Sequence, residues 1–214
     1  MKFDKSIKKK YLEGCLITVL IAGFSLLAIT AKRLTHLDVD IQISHAIQNI
    51  SYPAFSLAMN SISWIGDGIN FEIIVVLAMA LLFFVGLKKE AIKTALLAAA
   101  SATSGSLIKS FIDRPRPDAT LVDVKAILND KSFPSLHVML FTAFFGYMFY
   151  LAIFKVKTAW IKTLIATASM ILILSIGFSR IYLGAHWASD VLGGYILGAI
   201  FLFIAIKLSR RIPD

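Results

Sequence analysis

Residues 160–190 read WIKTLIATASMILILSIGFSRIYLGAHWASD, and the fold turns on how the two parts of this stretch are solvated. Its first part, Trp160 to Ser179, is 20 residues long with Lys162 as its one ionisable side chain. That matches the run of about 20 mainly apolar residues a helix needs to cross a bilayer core of about 30 Å. The second part abruptly brings Arg180, His186 and Asp190. Lipid tolerates such groups only at span ends or where they serve a function. Outward from this stretch, Leu12 to Ala31, Asn70 to Leu87, Ala91 to Ile108, Val138 to Phe154 and Trp187 to Ile206 also have spanning length, and the six together take 113 of 214 residues. Lys93 and Lys162 lie near span ends, where a long side chain reaches the headgroups. The expectation is an all-α polytopic membrane protein, a six-transmembrane helix bundle forming one domain over residues 1–214.

Composition agrees. The chain is 58% hydrophobic and 16% charged, with mean hydropathy +0.79, against about 45–50% and about 25% in soluble domains. Disorder is excluded by 16 Phe, 6 Tyr and 3 Trp. A single cysteine, Cys15, rules out a disulfide within the chain and reads as a small buried hydrophobe. Five lysines by residue 10 ahead of an apolar run resemble a signal peptide. The run is longer than a signal core and leads into Lys32-Arg33, so it reads as an uncleaved first helix.

The net charge of +9 could mean nucleic acid, an anionic surface or an anionic substrate. Sorting it by side resolves this, because Lys and Arg gather in cytoplasmic segments. With six spans the side of the termini holds 14 basic and 4 acidic residues, and the other side 8 basic and 9 acidic. Cytoplasmic termini in a cell membrane, bacterial by this reading, therefore account for the whole excess, and nucleic acid loses its support as a partner. Nothing indicates an obligate protein partner. Between the first two spans, Ile43, Ala46, Ile47 and Ile50, then Phe55, Ala58, Met59 and Ile62 after Pro53, repeat at helical spacing. They predict two short extracytoplasmic amphipathic helices, which either cap the bundle or flank a lateral opening for a lipid.

The costly residues collect at three span ends on the non-cytoplasmic side: Lys109 to Pro117, Ser132 to His137, and Ser179 to Asp190. Lys109, Arg116 and Arg180 can surround a dianionic phosphoryl group, which the planar fork of Arg matches. Ser135 and Ser179 can add hydroxyl donors, and Pro134-Ser135 before an apolar run reads as an N-cap that points a helix N-terminus at the anion. His186 and Asp190 lie one helical turn apart. An Asp that fixes one imidazole nitrogen leaves the other free as a nucleophile, although such a pair can also simply pin helices. His137 is a candidate general acid for a leaving alcohol, or a structural histidine. No metal-ligand spacing appears among the acids and histidines, so the reading requires neither metal nor cofactor.

Lys109-x6-Arg116-Pro117, Pro134-Ser135-Leu136-His137 and Ser179-Arg180-x5-His186-x3-Asp190 together resemble the three-part signature of the type-2 phosphatidic acid phosphatase family, which shares its site with vanadium haloperoxidases. The resemblance implies metal-independent dephosphorylation of a membrane lipid phosphate through a phosphohistidine. Lys109, Arg116, Ser135, Leu136, Ser179 and Arg180 would bind phosphate, His186 would be the nucleophile, His137 the acid and Asp190 the partner of His186. The substrate it implies is phosphatidylglycerol phosphate or phosphatidate, with undecaprenyl pyrophosphate of the cell-wall carrier as the alternative. A non-catalytic transporter or scaffold is the reading from another class. Leu136 stands where the family usually has Gly, which would allow closer backbone approach. Either the loop tolerates the side chain, or phosphate binding weakens and the substrate range narrows. Residues 118–131 read as a solvated loop or a substrate-sensing lid. Gly194 and Gly198 form a small-xxx-small pair that would let the last helix pack closely.

Overall fold

The computed structural model describes residues 5–211. Its described residues form eight helices: α1 Lys5–Arg33, α2 Asp38–Gln48, α3 Pro53–Gly66, α4 Ile69–Phe84, α5 Lys88–Ile112, α6 Leu136–Lys155, α7 Ala159–Tyr182 and α8 Ala188–Arg211. The helices α1, α5, α6, α7 and α8 are each long and apolar enough to cross a membrane. The protein is thus a multi-pass, all-helical membrane protein.

The sixth span departs from the sequence reading. Residues 70–87 were expected to cross alone, but α4 has only 16 residues, about 24 Å of helix at about 1.5 Å per residue. It reaches spanning length only together with α3, and the two meet at a 65° bend. Gly68, at φ +46°, supplies the left-handed backbone that makes the corner. The bend leaves Asp67 and Gly68 at the break, beside the start of α6.

The two short helices form after α1 as expected, but α3 runs on into α4 through the bend, and α2 buries a different face. Asp40 and Ser44 are its buried residues, whereas Ile43 and Ala46 are exposed. An ion pair buried beneath the helix, described below, outweighs the apolar stripe in choosing which side packs inward. Met59 and Ser63 are the buried residues of α3, which lies against α7.

The helix α6 is the axis of the bundle. Phe141, Phe144 and Phe145 pack on Phe71 of α4 and Ile176 of α7, while Tyr147 and Leu151 continue the core toward the terminal end. On its other side α8 comes to backbone contact. A Cβ at Gly194 would lie 2.7 Å from the carbonyl oxygen of Ser135, and one at Gly198 would lie 2.7 Å from that of Met139. The small-xxx-small pair therefore does what its spacing predicts. The helix α1 stands at the edge, touching the bundle through Phe24, Leu27 and Ala31. Cys15 on this helix is exposed, contrary to the sequence expectation, because most of α1 faces away from the protein.

Candidate active site

The three signature segments meet at one end of the bundle. One face of α5 is buried along Glu90, Thr94, Leu97, Ser101, Gly105 and Lys109, a repeat of three and four residues that delivers Lys109 to the last turn. Asp113, at φ 60°, then ends the helix in the left-handed conformation and turns the chain into Arg114-Pro115-Arg116-Pro117.

Arg114 is the residue the sequence reading passed over. It is 1% exposed, and its guanidinium donates to Asp190 Oδ1 at 2.5 Å, Ser189 Oγ at 2.8 Å, Asp40 Oδ2 at 3.0 Å and the Thr35 carbonyl at 3.1 Å. Asp40 also accepts from the backbone N–H and the hydroxyl of Ser189. One cation between two buried carboxylates thus ties α2, the segment after α5 and the start of α8 into one piece. The available signal was the Arg-Pro-Arg-Pro repeat, in which only the second arginine belongs to the recognised motif.

Asp190 is held more firmly than its assigned role required. Besides Arg114, it accepts from Ser132 Oγ and, at 2.9 Å, from the backbone N–H of Trp187. Its Oδ2 lies 3.7 Å from Nδ1 of His186, facing it but too far for a hydrogen bond. His186 is 1% exposed, and its Nδ1 has no hydrogen-bond partner. The other ring nitrogen, Nε2, is 3.3 Å from Nη1 of Arg116. Burial, and then the charges of Arg116, Arg180 and Lys109, hold the imidazole well below its usual pKa and therefore neutral.

Lys109, Arg116 and Arg180 flank this ring. Arg180 donates to Ser63 on α3, while its Nε and Nη2 are buried without a partner. Arg116 donates to the Ala185 carbonyl and to Asp130. Lys109 donates to Asp130 and, at 2.7 Å, to the Lys131 carbonyl. Ser135 is the N-cap of α6, as expected, but its hydroxyl makes no capping bond and is buried without a partner. Ser179 behaves differently from the other proposed phosphate ligands, since its hydroxyl donates to the Met59 carbonyl at 2.6 Å and fastens α7 to α3. His137 shares a hydrogen bond of 2.9 Å with Asp67 at the α3–α4 corner. Asp67 had no sequence signal because its nearness depends on the bend. Leu136 points across α5: a Cβ at Gly105 would lie 2.6 Å from its Cδ1. A cavity of about 530 Å³ between α4 and α5, lined by Phe71, Val75, Met79 and Ala99, ends at Leu136 and His137.

Residues 118–131 are tethered rather than free. Nε2 of His45 contacts the Leu121 carbonyl at 2.8 Å, Gln48 donates to the Asp123 carbonyl at 2.7 Å, and the N–H groups of Lys125 and Ala126 donate to Leu183.

A helical bundle with a buried neutral imidazole flanked by three cations, and a second histidine at the end of an apolar groove, has the construction of a membrane phosphatase. Residues 73–213 match the family model of the PAP2 superfamily, and the chain belongs to that family. Among curated relatives, phosphatidylglycerophosphatase B of Bacillus subtilis is 27% identical over 177 residues, covering 82% of this chain and 85% of the relative. A bacitracin transport permease protein, BcrC, of Bacillus licheniformis is 37% identical over 112 residues, 49% of this chain and 50% of the relative. The crystal structure of a transmembrane PAP2-type phosphatidylglycerolphosphate phosphatase from Bacillus subtilis shares the fold, with TM-score 0.79 at 24% identity, over 92% of this chain and 98% of that one. The protein is an enzyme of this class, and the transporter or scaffold reading falls away.

Proposed function

We propose that the protein hydrolyses a lipid phosphomonoester, phosphatidylglycerol phosphate or phosphatidate, at the extracytoplasmic face through a phosphohistidine on His186. The observation that carries this reading is the set of buried polar atoms without partners. Nε and Nη2 of Arg180 and the hydroxyl of Ser135 are donors that protein groups leave unused, beside a neutral imidazole. An unpaired buried polar group costs about 1–3 kcal/mol, so several in one place mark where a polar ligand binds. The apolar groove between α4 and α5 reaches Leu136 and His137, next in sequence to Ser135, and takes acyl chains, with the α3–α4 corner at its flank.

Lys109, Arg116 and Arg180 balance the phosphoryl oxygens, and this prearranged charge is the largest catalytic contribution. Asp190, fixed by Arg114 and Ser132, faces Nδ1 and leaves Nε2 to attack phosphorus. As the N–P bond forms, the P–O bond to the lipid breaks and His137, held by its hydrogen bond to Asp67, protonates the departing oxygen. His137, now neutral, takes a proton from water, whose oxygen attacks the phosphohistidine, releasing inorganic phosphate and the free imidazole. Ser179 acts through position, holding α7 on α3. The distribution of basic residues supports cytoplasmic termini with this site on the outer face.

The test is phosphate release by purified protein with EDTA present, across phosphatidylglycerol phosphate, phosphatidate and an isoprenoid pyrophosphate. Release from a monoester lipid that His186→Ala abolishes is expected. Turnover that survives His186→Ala, or that needs a divalent ion, overturns the mechanism, and preference for the pyrophosphate overturns the substrate assignment.

A further inference from the structure

Resting on that function and deepening it, we propose that Asp67 is a positioning residue for the proton donor. It holds the Nε2 edge of His137 against the α3–α4 corner, so that the proton given to the departing oxygen comes from Nδ1.

Two observations fix which edge of the ring is engaged. Asp67 Oδ1 lies 2.9 Å from Nε2 of His137, hydrogen-bond distance for a ring N–H and a carboxylate. The same edge rests on bare backbone: a Cβ at Gly66 would lie 2.5 Å from Cδ2 of the ring and 3.2 Å from Nε2. A side chain at residue 66 would push the corner off the imidazole, so glycine there is what brings the carboxylate within reach. Nδ1 sits on the opposite edge, and among the described residues no protein group hydrogen-bonds it.

The corner is built to stay where it is. Across the bend, the Asn70 amide donates to the Trp64 carbonyl at 2.9 Å, and the Asp67 N–H donates to the same carbonyl at 3.2 Å. Ser63, one turn earlier on α3, accepts from Arg180. Asp67 lines a polar cavity of about 640 Å³ shared with Asn60, Ser61 and Lys125, whereas His137 ends the apolar groove between α4 and α5. The pair therefore stands between a compartment suited to water and one suited to lipid.

The proton then has one way to move. With Nε2–H held by the carboxylate, the Nδ1 proton is the one free to leave. As the P–O bond breaks, the departing oxygen keeps that electron pair and bonds the proton with it, while the N–H pair stays on Nδ1. The ring is left neutral with its hydrogen on Nε2, and bare Nδ1 takes the proton of the attacking water. Asp67 stays ionised and exchanges nothing with substrate. An aspartate that fixes orientation and tautomer in this way does for the acid what Asp190 does for the nucleophile, from the opposite ring nitrogen.

The experiment uses the full chain in detergent micelles, with dioctanoyl phosphatidate and its analogue in which sulfur replaces the bridging ester oxygen. Phosphate and acyl chains are the same, but the analogue departs as a thiolate, a far weaker base than an alkoxide, which leaves without a proton. In Asp67→Ala, kcat/KM for the oxygen ester should fall roughly thirtyfold, part of the about 10²–10⁴ that general acid catalysis contributes, and the ratio of oxygen to sulfur ester should fall about tenfold or more. Arg180, 4.0 Å from the same carboxylate, also feels the lost charge. That acts on phosphoryl oxygens common to both substrates and cancels from the ratio. His137→Ala should shift the ratio the same way, and the double variant no further. A ratio that Asp67→Ala leaves unshifted, or a double variant that shifts it beyond His137→Ala, would overturn the proposal and make Asp67 a brace for Arg180 or for the bend. If His137→Ala leaves the ratio unshifted, or the wild type releases phosphate from neither lipid, the functional reading fails instead, which separates the two.

Discussion

Two clusters of buried charge stand at opposite ends of the bundle, and they are finished differently. At the terminal end Glu90 is 0% exposed and fully enclosed by neighbours: Tyr147 and Ser209 donate to it, and Lys93 pairs with it at 3.0 Å. At the site end, Asp40, Arg114 and Asp190 are just as deep and just as well paired, but around them lie Arg180, Ser135 and His186 with polar atoms that nothing in the protein satisfies. Burial of charge alone therefore does not distinguish a structural cluster from a site. What distinguishes them is whether the protein completes its own hydrogen bonding.

The sharpest way to break the comparison is at His186. His186→Ala should abolish turnover while leaving thermal unfolding in detergent nearly unchanged; the reverse pattern would make it a packing residue. Next is Arg114→Ala, which leaves Asp40 and Asp190 buried without their cation. Breaking such a buried pair costs about 3–5 kcal/mol, so both activity and stability should be lost, and retained stability would mean the cluster is not a fastening. Glu90→Gln is the matched control. It should lower the melting temperature and leave kcat/KM within about twofold, since a structural contact far from the chemistry does not enter the transition state. A large loss of kcat/KM would erase the distinction between the clusters.

Two finer tests concern titration and fit. Because burial and neighbouring cations hold His186 below its usual value of about 6.5, the neutral form persists as pH falls through that value. The acid limb of single-turnover phosphorylation should therefore lie below pH 6.5, and a limb above it would place His186 in a solvated setting. The smallest effect is expected at Leu136. Its side chain rests over Gly105, so the family's Gly is replaced here by a residue with its own seat, and Leu136→Gly should change activity by less than about threefold. A many-fold rise would mean that the side chain obstructs phosphate. Gly105→Ala, which puts a Cβ 2.6 Å from Leu136, should cost more than Leu136→Gly does.

Most of the architecture was legible because spans are set by length and hydropathy, and the signature residues are set by spacing. The errors have a common cause. The helix expected over residues 70–87 is shorter, at 16 residues, and joins α3 through a bend at the left-handed Gly68. The face of α2 was misjudged because Asp40 finds Arg114, 74 residues away, and a distant ionic partner leaves no period in the sequence. Asp67 and Asp130 were unread for the same reason: each looks like an ordinary loop acid until the fold brings it to His137, or to Lys109 and Arg116.

The backbone contact of Gly194 and Gly198 with the start of α6 makes this part of the site mechanically stiff. The segments bearing His186 and Asp190 on one side and Ser135 and His137 on the other are clamped like an anvil, with Ser135 N–H also donating to the Asp190 carbonyl. Lys109 and Arg116 ride on the end of α5 and the chain beyond it, which Arg114 fastens to the same start of α8. The alignment of the proposed nucleophile and acid should therefore be among the last features that heat or harsh detergent disturbs.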